Sequence, residues 1–181
     1  MPSFAGQLLI ARPSLVDPNF AKSVVLIARH DEDGALGLVL NQPLEVTVKE
    51  ACETLLEQEC AAHGMLLKGG PCEGPLAAVH TVASLADFAI GAGLYFSVER
   101  GHLEALLSRS EDEVRFFANY AGWIVGQLEK EILTDSWALM PARAEHIFSI
   151  PTDVLWDRVS REASLATWMR IDQIPRDPNL N

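Results

Sequence analysis

The strongest constraint on the fold is a pair of apolar segments joined by an acidic turn. Residues 22–30 and 35–41 are rich in valine, isoleucine and leucine, which is typical of strands that are buried on both faces. Residues 31–34, Asp-Glu-Asp-Gly, combine turn-forming aspartates with a glycine that can adopt a positive φ. The pattern predicts an antiparallel hairpin at the centre of a sheet.

Shorter apolar runs and helical patterns alternate irregularly along the rest of the chain. They predict further strands at residues 7–11, 65–68, 76–82, 94–97, 113–118 and 137–140. Predicted helices cover residues 48–63, 98–109, 123–133, 142–148 and 151–163. Thr47 and Glu50 have the spacing of a capping box for the first helix, and Ser97 is the expected cap of the second. This mixture predicts an α+β fold, with helices packed on a mixed β-sheet, rather than a doubly wound fold.

The charge balance bears on the class of partner. The chain has 25 acidic and 14 basic residues, a formal net charge of −11, and no run of lysine or arginine. Such a chain repels phosphate backbones unless its few cations are gathered on one face. Direct nucleic-acid binding is therefore disfavoured.

Length and hydrophobicity indicate a single domain in the cytoplasm. The 181 residues are 49% hydrophobic, enough for a sizeable core. No apolar run approaches the roughly 20 residues of a membrane helix, and the N-terminal residues lack the pattern of a signal peptide. Three cysteines without framework spacing fit a reducing compartment. We expect one domain over residues 1–170 and a flexible tail over residues 171–181, which lack periodicity.

Common catalytic and metal-binding signatures are missing from the sequence. It contains no phosphate loop, GxGxxG turn, HExxH helix or GxSxG elbow. Cys60, His63, Cys72 and His80 lack the closely spaced pairs that zinc sites use. Neither Cys72 with His80 nor Ser136 with a distant histidine is held together as a nucleophile and base. We expect no catalytic residue, no metal and no cofactor.

The stretch from residue 119 to residue 137 concentrates aromatic and small residues. Trp123 and Trp137 are expected to pack in the core, where buried indoles are common. Gly122 and Gly126 are expected to let a helix lie close to the sheet, so that Gly122→Leu would overpack this contact and destabilise the fold by roughly 1–3 kcal/mol.

Polar residues in the same stretch are the basis for a second hypothesis, a binding site. Asn119, Gln127 and Ser136 stand among apolar neighbours and need hydrogen-bond partners if they are buried. The pocket that such a site would use is predicted to be formed by Asn41, Gly69, Gly70, His80, Asn119, Trp123 and Gln127.

Taken together, these segments resemble the AlgH/YqgE-like family of small bacterial proteins, and the resemblance covers nearly the whole chain. The segments that carry it are GQLLIA at 6–11, DPNF at 17–20, DGALGLVLNQP at 33–43, GGP at 69–71, VH at 79–80, YAGW at 120–123, GQLE at 126–129 and SW at 136–137.

The resemblance implies a single α+β domain with a mixed, curled sheet. It implies no established enzymatic activity, although a family label connects it with transcriptional regulation of alginate synthesis. Two positions depart from the family pattern. Cys72 replaces a more usual small aliphatic residue, and Gln42 replaces a more usual arginine, which weakens the case for anion binding there.

Three functions remain open at this level. The favoured hypothesis is a non-catalytic binding or regulatory module with a protein or small-molecule partner. The second is a small-ligand-binding protein or enzyme that uses the predicted pocket. The third is a DNA-binding regulator, which would need a local basic face, formed by Arg100, Arg109, Arg115 and Arg143.

Overall fold

A computed structural model describes residues 3–55, 60–110 and 113–172, which form eleven strands and five α-helices. The strands are β1 (Gln7–Ala11), β2 (Val24–Asp31), β3 (Gly34–Val39), β4 (Pro43–Thr47), β5 (Met65–Lys68), β6 (Ala77–His80), β7 (Phe88–Gly91), β8 (Leu94–Ser97), β9 (Val114–Ala118), β10 (Ala121–Trp123) and β11 (Trp137–Pro141). The helices are α1 (Val48–Leu55), α2 (Arg100–Leu107), α3 (Gln127–Leu133), α4 (Ala144–Phe148) and α5 (Thr152–Asp172), with a short 3₁₀ turn at Ala83–Leu85.

The strands form two sheets. The first has the order β10-β3-β2-β1-β11, and all its neighbours are antiparallel. The second has the order β4-β5-β9-β6-β8-β7 and is mixed, because β5 and β9 run parallel. The predicted α+β class is confirmed, with the strands divided between two sheets.

The central hairpin predicted from the sequence is confirmed as β2 and β3. Its register runs from Val25 opposite Val39 to Asp31 opposite Gly34, with an irregularity between Ile27 and Arg29. The carboxylate of Asp31 accepts a hydrogen bond from the Asp33 main-chain N–H at 3.0 Å. This local bond helps to close the turn where the sequence places its aspartates.

The two sheets pack face to face around an inner cluster of apolar side chains. Leu8, Leu26 and Leu38 contribute from the first sheet, and Val79 and Phe117 from the second. Alternate residues of each strand point outward, as the two-residue period of a strand requires. The outer face of the first sheet is covered by α3, and that of the second sheet by α1 and α2. Strands buried on both faces therefore show continuous apolar runs.

Several predicted boundaries differ from the observed elements. The capping box is present, since Thr47 and Glu50 bond reciprocally. However, residues 60–63 are not helical, so the first helix does not reach them. Ser97 is a buried residue of β8, and the Glu99 carboxylate caps α2 instead. Strands β4, β7 and β10 were not predicted.

The last helix is longer than expected. α5 extends the predicted segment to Asp172 and so includes the first residues of the predicted tail, while residues 173–181 lie outside the described part of the chain. Within the described ranges, no helix is both long enough and apolar enough to cross a membrane.

Candidate functional site

A groove of about 640 Å³ lies where the edge of the first sheet faces the second sheet. We call it the edge groove. Its walls come from β3 and β10 on one side and from β6, β7 and β8 on the other. The lining residues are Arg29, Asp33, Gly34, Ala35, Leu36, Leu38, Cys72, Pro75, Ala77, Phe88, Phe96, Val98, Asn119, Tyr120, Gly122, Trp123 and Ile124.

The edge groove is apolar inside and charged at one end. Leu38 and Phe96 line it and also belong to the inner cluster between the sheets. Arg29 and Asp33 provide the charged groups of its lining. The Arg29 guanidinium is paired with Asp31, with 3.0 Å between Nε and Oδ2. An occupant would therefore meet mainly apolar surface, with polar groups at the rim, as in most ligand pockets.

The wall at Tyr120 is held in place by a short main-chain bridge. The Cys72 N–H donates to the Tyr120 carbonyl at 2.9 Å, and the Tyr120 N–H donates to the Cys72 carbonyl at 3.0 Å. A side chain at Gly122 would begin 3.2 Å from the Tyr120 ring and 3.7 Å from the Cys72 sulfur. Tyr120, Cys72 and Gly122 thus meet at one point of the edge groove.

Gly69 and Gly70 position this wall by allowing main chains to approach closely. The Gly69 N–H donates to the Ala118 carbonyl, and its carbonyl accepts from the Val39 N–H, both at 2.8 Å. Gly69 therefore links β9 of the second sheet to β3 of the first. A Cβ at Gly70 would lie 2.3 Å from the carbonyl carbon of Tyr120, a distance no side chain tolerates. These glycines support the site without lining it.

Asn119 contributes to the edge groove directly. Its backbone has a φ of +68°, in the left-handed region that asparagine tolerates better than most residues. Its side-chain oxygen accepts a hydrogen bond from the Gly74 N–H at 3.3 Å. Asn119 therefore ties the loop that carries Cys72 to the end of β9.

Asn41 and His80 make structural hydrogen bonds away from the edge groove. Asn41 accepts from the Val24 N–H and donates to the Lys22 carbonyl, both at 2.9 Å. His80 is fully buried, and its Nδ1 accepts from the Val82 N–H at 3.2 Å. That bond leaves the proton on Nε2, which lies 2.9 Å from the Ser97 hydroxyl. By strand alternation His80 lies on the outer face of the second sheet, with Ala78.

Gln127 and Trp123 belong to a network centred on Glu131. One carboxylate oxygen of Glu131 accepts from the indole N–H of Trp123 at 3.0 Å and of Trp137 at 2.9 Å. The other accepts from the Gln127 amide at 2.9 Å. Gln127 itself is exposed, contrary to the expectation of a residue among apolar neighbours. The Trp123 ring packs with Phe20 on the outer face of the first sheet.

The predicted pocket residues do not share one cavity. Asn119 and Trp123 both line the edge groove. The ring of Trp123, however, lies on the opposite face of its sheet. Gly69 and Gly70 lie behind the wall that Tyr120 forms. Asn41, His80 and Gln127 make hydrogen bonds outside the edge groove. Strand alternation explains the placement of His80 and of the Trp123 ring, because successive residues of a strand face opposite sides. Ligand binding at Asn119 and Trp123 stays a prediction.

The reason given for glycine at Gly122 and Gly126 also changes. Gly122 is an exposed residue of β10 and not the start of a helix. Gly126 has a φ of +76° at the start of α3, and a Cβ there would meet no atom within 4 Å. Gly126 is explained by its left-handed backbone, which favours glycine, and not by close packing.

Sequence reasoning missed most of the apolar lining. Leu36, Leu38 and Phe96 were assigned to buried strands, and only the pairing of distant strands brings them to one groove. Glu131 was also missed. A signal for it was present, because a carboxylate four residues after Gln127 lies on the same helical face.

The other candidate chemistries are separated in the structure. Cys72 lies in the edge groove, whereas His80 is on the outer face of the second sheet. Among residues 3–55, 60–110 and 113–172, no group of three histidine, cysteine or acidic side chains is arranged to hold a metal ion.

The arginines that a DNA-binding face would need are engaged within the molecule. Arg100 pairs with Glu104, and Arg143 with Glu162, each at 2.6 Å. Arg115 donates to the carbonyl of Phe148 at the end of α4, at 2.9 Å. Burial lowers the pKa of Arg115, because it disfavours the charged guanidinium. The hydrogen bond to the Phe148 carbonyl helps to offset this loss of solvation.

Comparison with known proteins places the chain in a family. The profile described as AlgH-like matches residues 8–168. The UPF0301 protein Smlt1098 of Stenotrophomonas maltophilia is 39% identical over 163 residues, covering 85% of this chain and 86% of the relative. The UPF0301 protein CT0663 of Chlorobaculum tepidum is 33% identical over 182 residues, covering 97% and 95%.

Two solved structures share the fold. The solution structure of the AlgH protein from Pseudomonas aeruginosa has a TM-score of 0.73 at 27% identity, covering 97% of this chain and 96% of that one. The crystal structure of protein DIP2367 from Corynebacterium diphtheriae has a TM-score of 0.73 at 26% identity, covering 90% and 87%. The profile match and the relatives above 30% identity extend over most of the sequence, and the chain therefore belongs to the AlgH-like family.

Proposed function

We propose that the protein is a non-catalytic binding module that takes its partner in the edge groove. The observation that carries the proposal is the position of the 119–123 motif. Asn119, Tyr120 and Gly122 line an open, mainly apolar groove together with Leu36 and Phe96. A concave apolar surface with a few polar groups is the usual form of a binding site.

The hydrogen bonds of the other motif residues support a binding role over a catalytic one. Asn41, His80 and Gln127 use their polar atoms to hold strands and helices together. A catalytic nucleophile or base needs a polar atom directed at a substrate. These side chains support the scaffold on which the edge groove is built.

The proposed setting is the cytoplasm, and the proposed partner is not DNA. Cys52, Cys60 and Cys72 are free thiols, in keeping with a reducing compartment. The net charge of −11 opposes binding to a phosphate backbone. Any regulatory role would then be exercised through a bound molecule in the edge groove.

The thiol of Cys72 provides a direct test of occupancy. The protein is treated with iodoacetamide, with and without the uncharged apolar dye Nile red, and alkylation of each cysteine is followed by mass spectrometry. We expect saturating dye to slow alkylation of Cys72 and to leave Cys60 unchanged, since Cys60 lies outside the edge groove. Burial raises the pKa of Cys52 to about 11, so this thiol should react slowly throughout.

A pair of matched variants checks that the dye reports the edge groove. Leu36→Arg places a charge in its lining, whereas Leu139→Arg makes the same change on the opposite edge strand, β11. We expect only Leu36→Arg to abolish dye binding. Failure of the dye to protect Cys72, or equal effects of both variants, would overturn the proposed site. Turnover of an ester or phosphate substrate that is lost in Asn119→Ala would overturn the proposal that the protein is non-catalytic.

A further inference from the structure

Strand β10 presents the main-chain groups of Gly122 beside the edge groove. It pairs with β3 through Ala121 opposite Gly37 and Trp123 opposite Ala35. Its other side bonds to Cys72 through the main chain of Tyr120. In an antiparallel strand the N–H and C=O groups of successive residues point alternately to the two sides. Those of Gly122 therefore point away from β3, in the same direction as those of Tyr120 and Ile124. The Ile124 N–H donates to the side-chain oxygen of Gln127, and its carbonyl accepts from the Gln127 N–H. The part of this edge that is left for a partner is therefore Gly122.

This edge already accepts one antiparallel partner. The bridge between Cys72 and Tyr120 is isolated, because no longer strand continues it alongside Gly122. Gly122 has no side chain to cover its main-chain groups, and the residue is exposed. A segment with extended backbone could continue the pairing at this point, as in complexes that add a strand to a sheet edge.

Strand β4, at an edge of the second sheet, has features that protect it from pairing with another strand. Strand β4 carries Pro43 and Glu45, and proline and charged residues are the devices by which edge strands discourage pairing. β10 has the sequence Ala-Gly-Trp, with neither. Strand β7 also lacks both devices, and the three-residue length of β10 is itself a protection of this kind. The case for β10 therefore rests on Gly122, which lines the edge groove.

Exposed apolar side chains flank the same edge. Ile124 is 77% exposed and Val125 is 65% exposed, and both follow β10 directly. Val98, which lines the edge groove from the second sheet, is 38% exposed. A strand laid along β10 would cover part of this surface, and one alternate set of its side chains would enter the groove.

The charges around the edge groove determine the chemistry of the partner. Asp33 lines it, and Glu73 lies between Cys72 and Pro75 in the loop that forms its wall. Both carboxylates belong to exposed residues. The lining cation, Arg29, is already paired with Asp31. In the part of the chain that the structure describes, the rim charges outside the Arg29–Asp31 pair are thus negative, on a molecule whose net charge is −11.

We infer that the edge groove binds an extended, apolar and positively charged segment of another protein, which is added as a strand beside β10. This inference rests on the proposed function and names its partner. Gly122 supplies a main-chain N–H and C=O to the added strand, the groove accepts alternate apolar side chains, and the acidic rim attracts lysine or arginine. A second copy of this chain would bring a like-charged rim, which opposes self-association through this edge.

A short synthetic peptide can stand in for the partner. The probe is a capped seven-residue peptide of alternating valine and lysine, with binding measured by calorimetry and by protection of Cys72 from iodoacetamide. We expect it to bind and to protect Cys72 but not Cys60. A valine–glutamate peptide of equal length should not bind. Methylation of alternate main-chain nitrogens in the lysine peptide should weaken binding about ten-fold by removing strand hydrogen bonds.

Charge reversals at the rim test the electrostatic contribution to peptide binding. In Asp33→Lys/Glu73→Lys we expect affinity for the lysine peptide to fall by about five-fold for each reversed charge at low salt, and the loss to shrink as salt is added. Glu45→Lys changes the charge equally on β4, away from the edge groove, and should have little effect.

The outcomes separate this inference from the proposed function. If Nile red protects Cys72 but the lysine peptide neither binds nor protects it, the groove is a binding site and the strand partner is wrong. If the methylated or glutamate peptide binds as well as the lysine peptide, the inference is overturned as well. If neither dye nor peptide protects Cys72, the proposed function itself fails. A concentration-dependent dimer in sedimentation that is lost on peptide addition would instead identify a second copy as the occupant.

Discussion

Glu131 is the residue on which the packing of the aromatic face of the first sheet depends. It accepts hydrogen bonds from two indole N–H groups, those of Trp123 and Trp137, while both rings are almost fully buried. A buried donor that loses its acceptor costs far more than an average hydrogen bond contributes. The carboxylate therefore fixes where both rings lie relative to α3.

Replacing Glu131 should reveal this dependence. We expect Glu131→Leu to lower the free energy of unfolding by about 1–3 kcal/mol for each indole left without an acceptor. Glu131→Gln should lose less, since an amide oxygen remains. Gln127→Leu is the control, because Gln127 is exposed and donates to the same carboxylate. Urea denaturation of the three variants measures the difference, and equal losses in all three would refute the account.

The need for such a partner was visible in the sequence, but its identity was not. The sequence predicted that both tryptophans pack in the core, and that Asn119, Gln127 and Ser136 need partners if they are buried. It did not predict that the two indole N–H groups share one carboxylate, and Gln127 proved to be an exposed part of that network. Burial depends on which face of α3 meets the sheet, and that is settled by the pairing of strands distant in sequence.

At the level of elements, long apolar runs were predicted well and short edge strands were not. β1, β2, β3 and β5 followed from their composition. β7 and β10 have few residues each, contain glycine and lie at sheet edges. Glycine weakens the local preference for a strand, so pairing with a neighbour decides the conformation. The edge groove escaped prediction because β10 forms one of its walls.

The start of α2 depends on Asp87, which lies before the β7–β8 hairpin in the sequence. One carboxylate oxygen accepts from the N–H groups of Val98 and Glu99 at 2.7 and 2.9 Å, and the other lies 2.6 Å from Nδ1 of His102. Burial alone would raise the pKa of Asp87, but these hydrogen bonds outweigh it and lower the pKa. Asp87 therefore stabilises the fold in its ionised form.

Removal of the Asp87 carboxylate should destabilise the protein in a pH-dependent way. We expect Asp87→Ala to lower the free energy of unfolding at pH 7 by about 1–3 kcal/mol, because two main-chain donors lose their acceptor. A group with a lowered pKa stabilises above its unfolded value, about 3.9, and loses that contribution as pH falls further. The difference in the free energy of unfolding between the wild type and Asp87→Ala should thus become smaller below a pH of about 4. A gap that widened with acid would contradict this role.

At the scale of the molecule, the two sheets share one apolar interior that no local pattern specifies. Residues of β1, β2 and β3 meet residues of β6, β8 and β9 in the inner cluster. The parallel pairing of β5 with β9 joins segments about 50 residues apart in sequence. Sequence patterns identify the apolar strands, but this pairing determines how they divide between two sheets.

A shared interior has a consequence for unfolding. Helices α4 and α5 contribute Ile147 and Leu155 to the same inner cluster as both sheets, so removing either sheet would expose the core of the other. We propose that residues 1–170 form one cooperative unit, as the sequence suggests for a single domain, and expect two-state unfolding. Tryptophan fluorescence has contributions from Trp123 and Trp137 of the first sheet, from Trp156 and from Trp168. It should change at the same urea concentration as the far-ultraviolet circular dichroism of the whole chain. Separate midpoints would show that one sheet unfolds independently, and the account of a single interior would then be wrong.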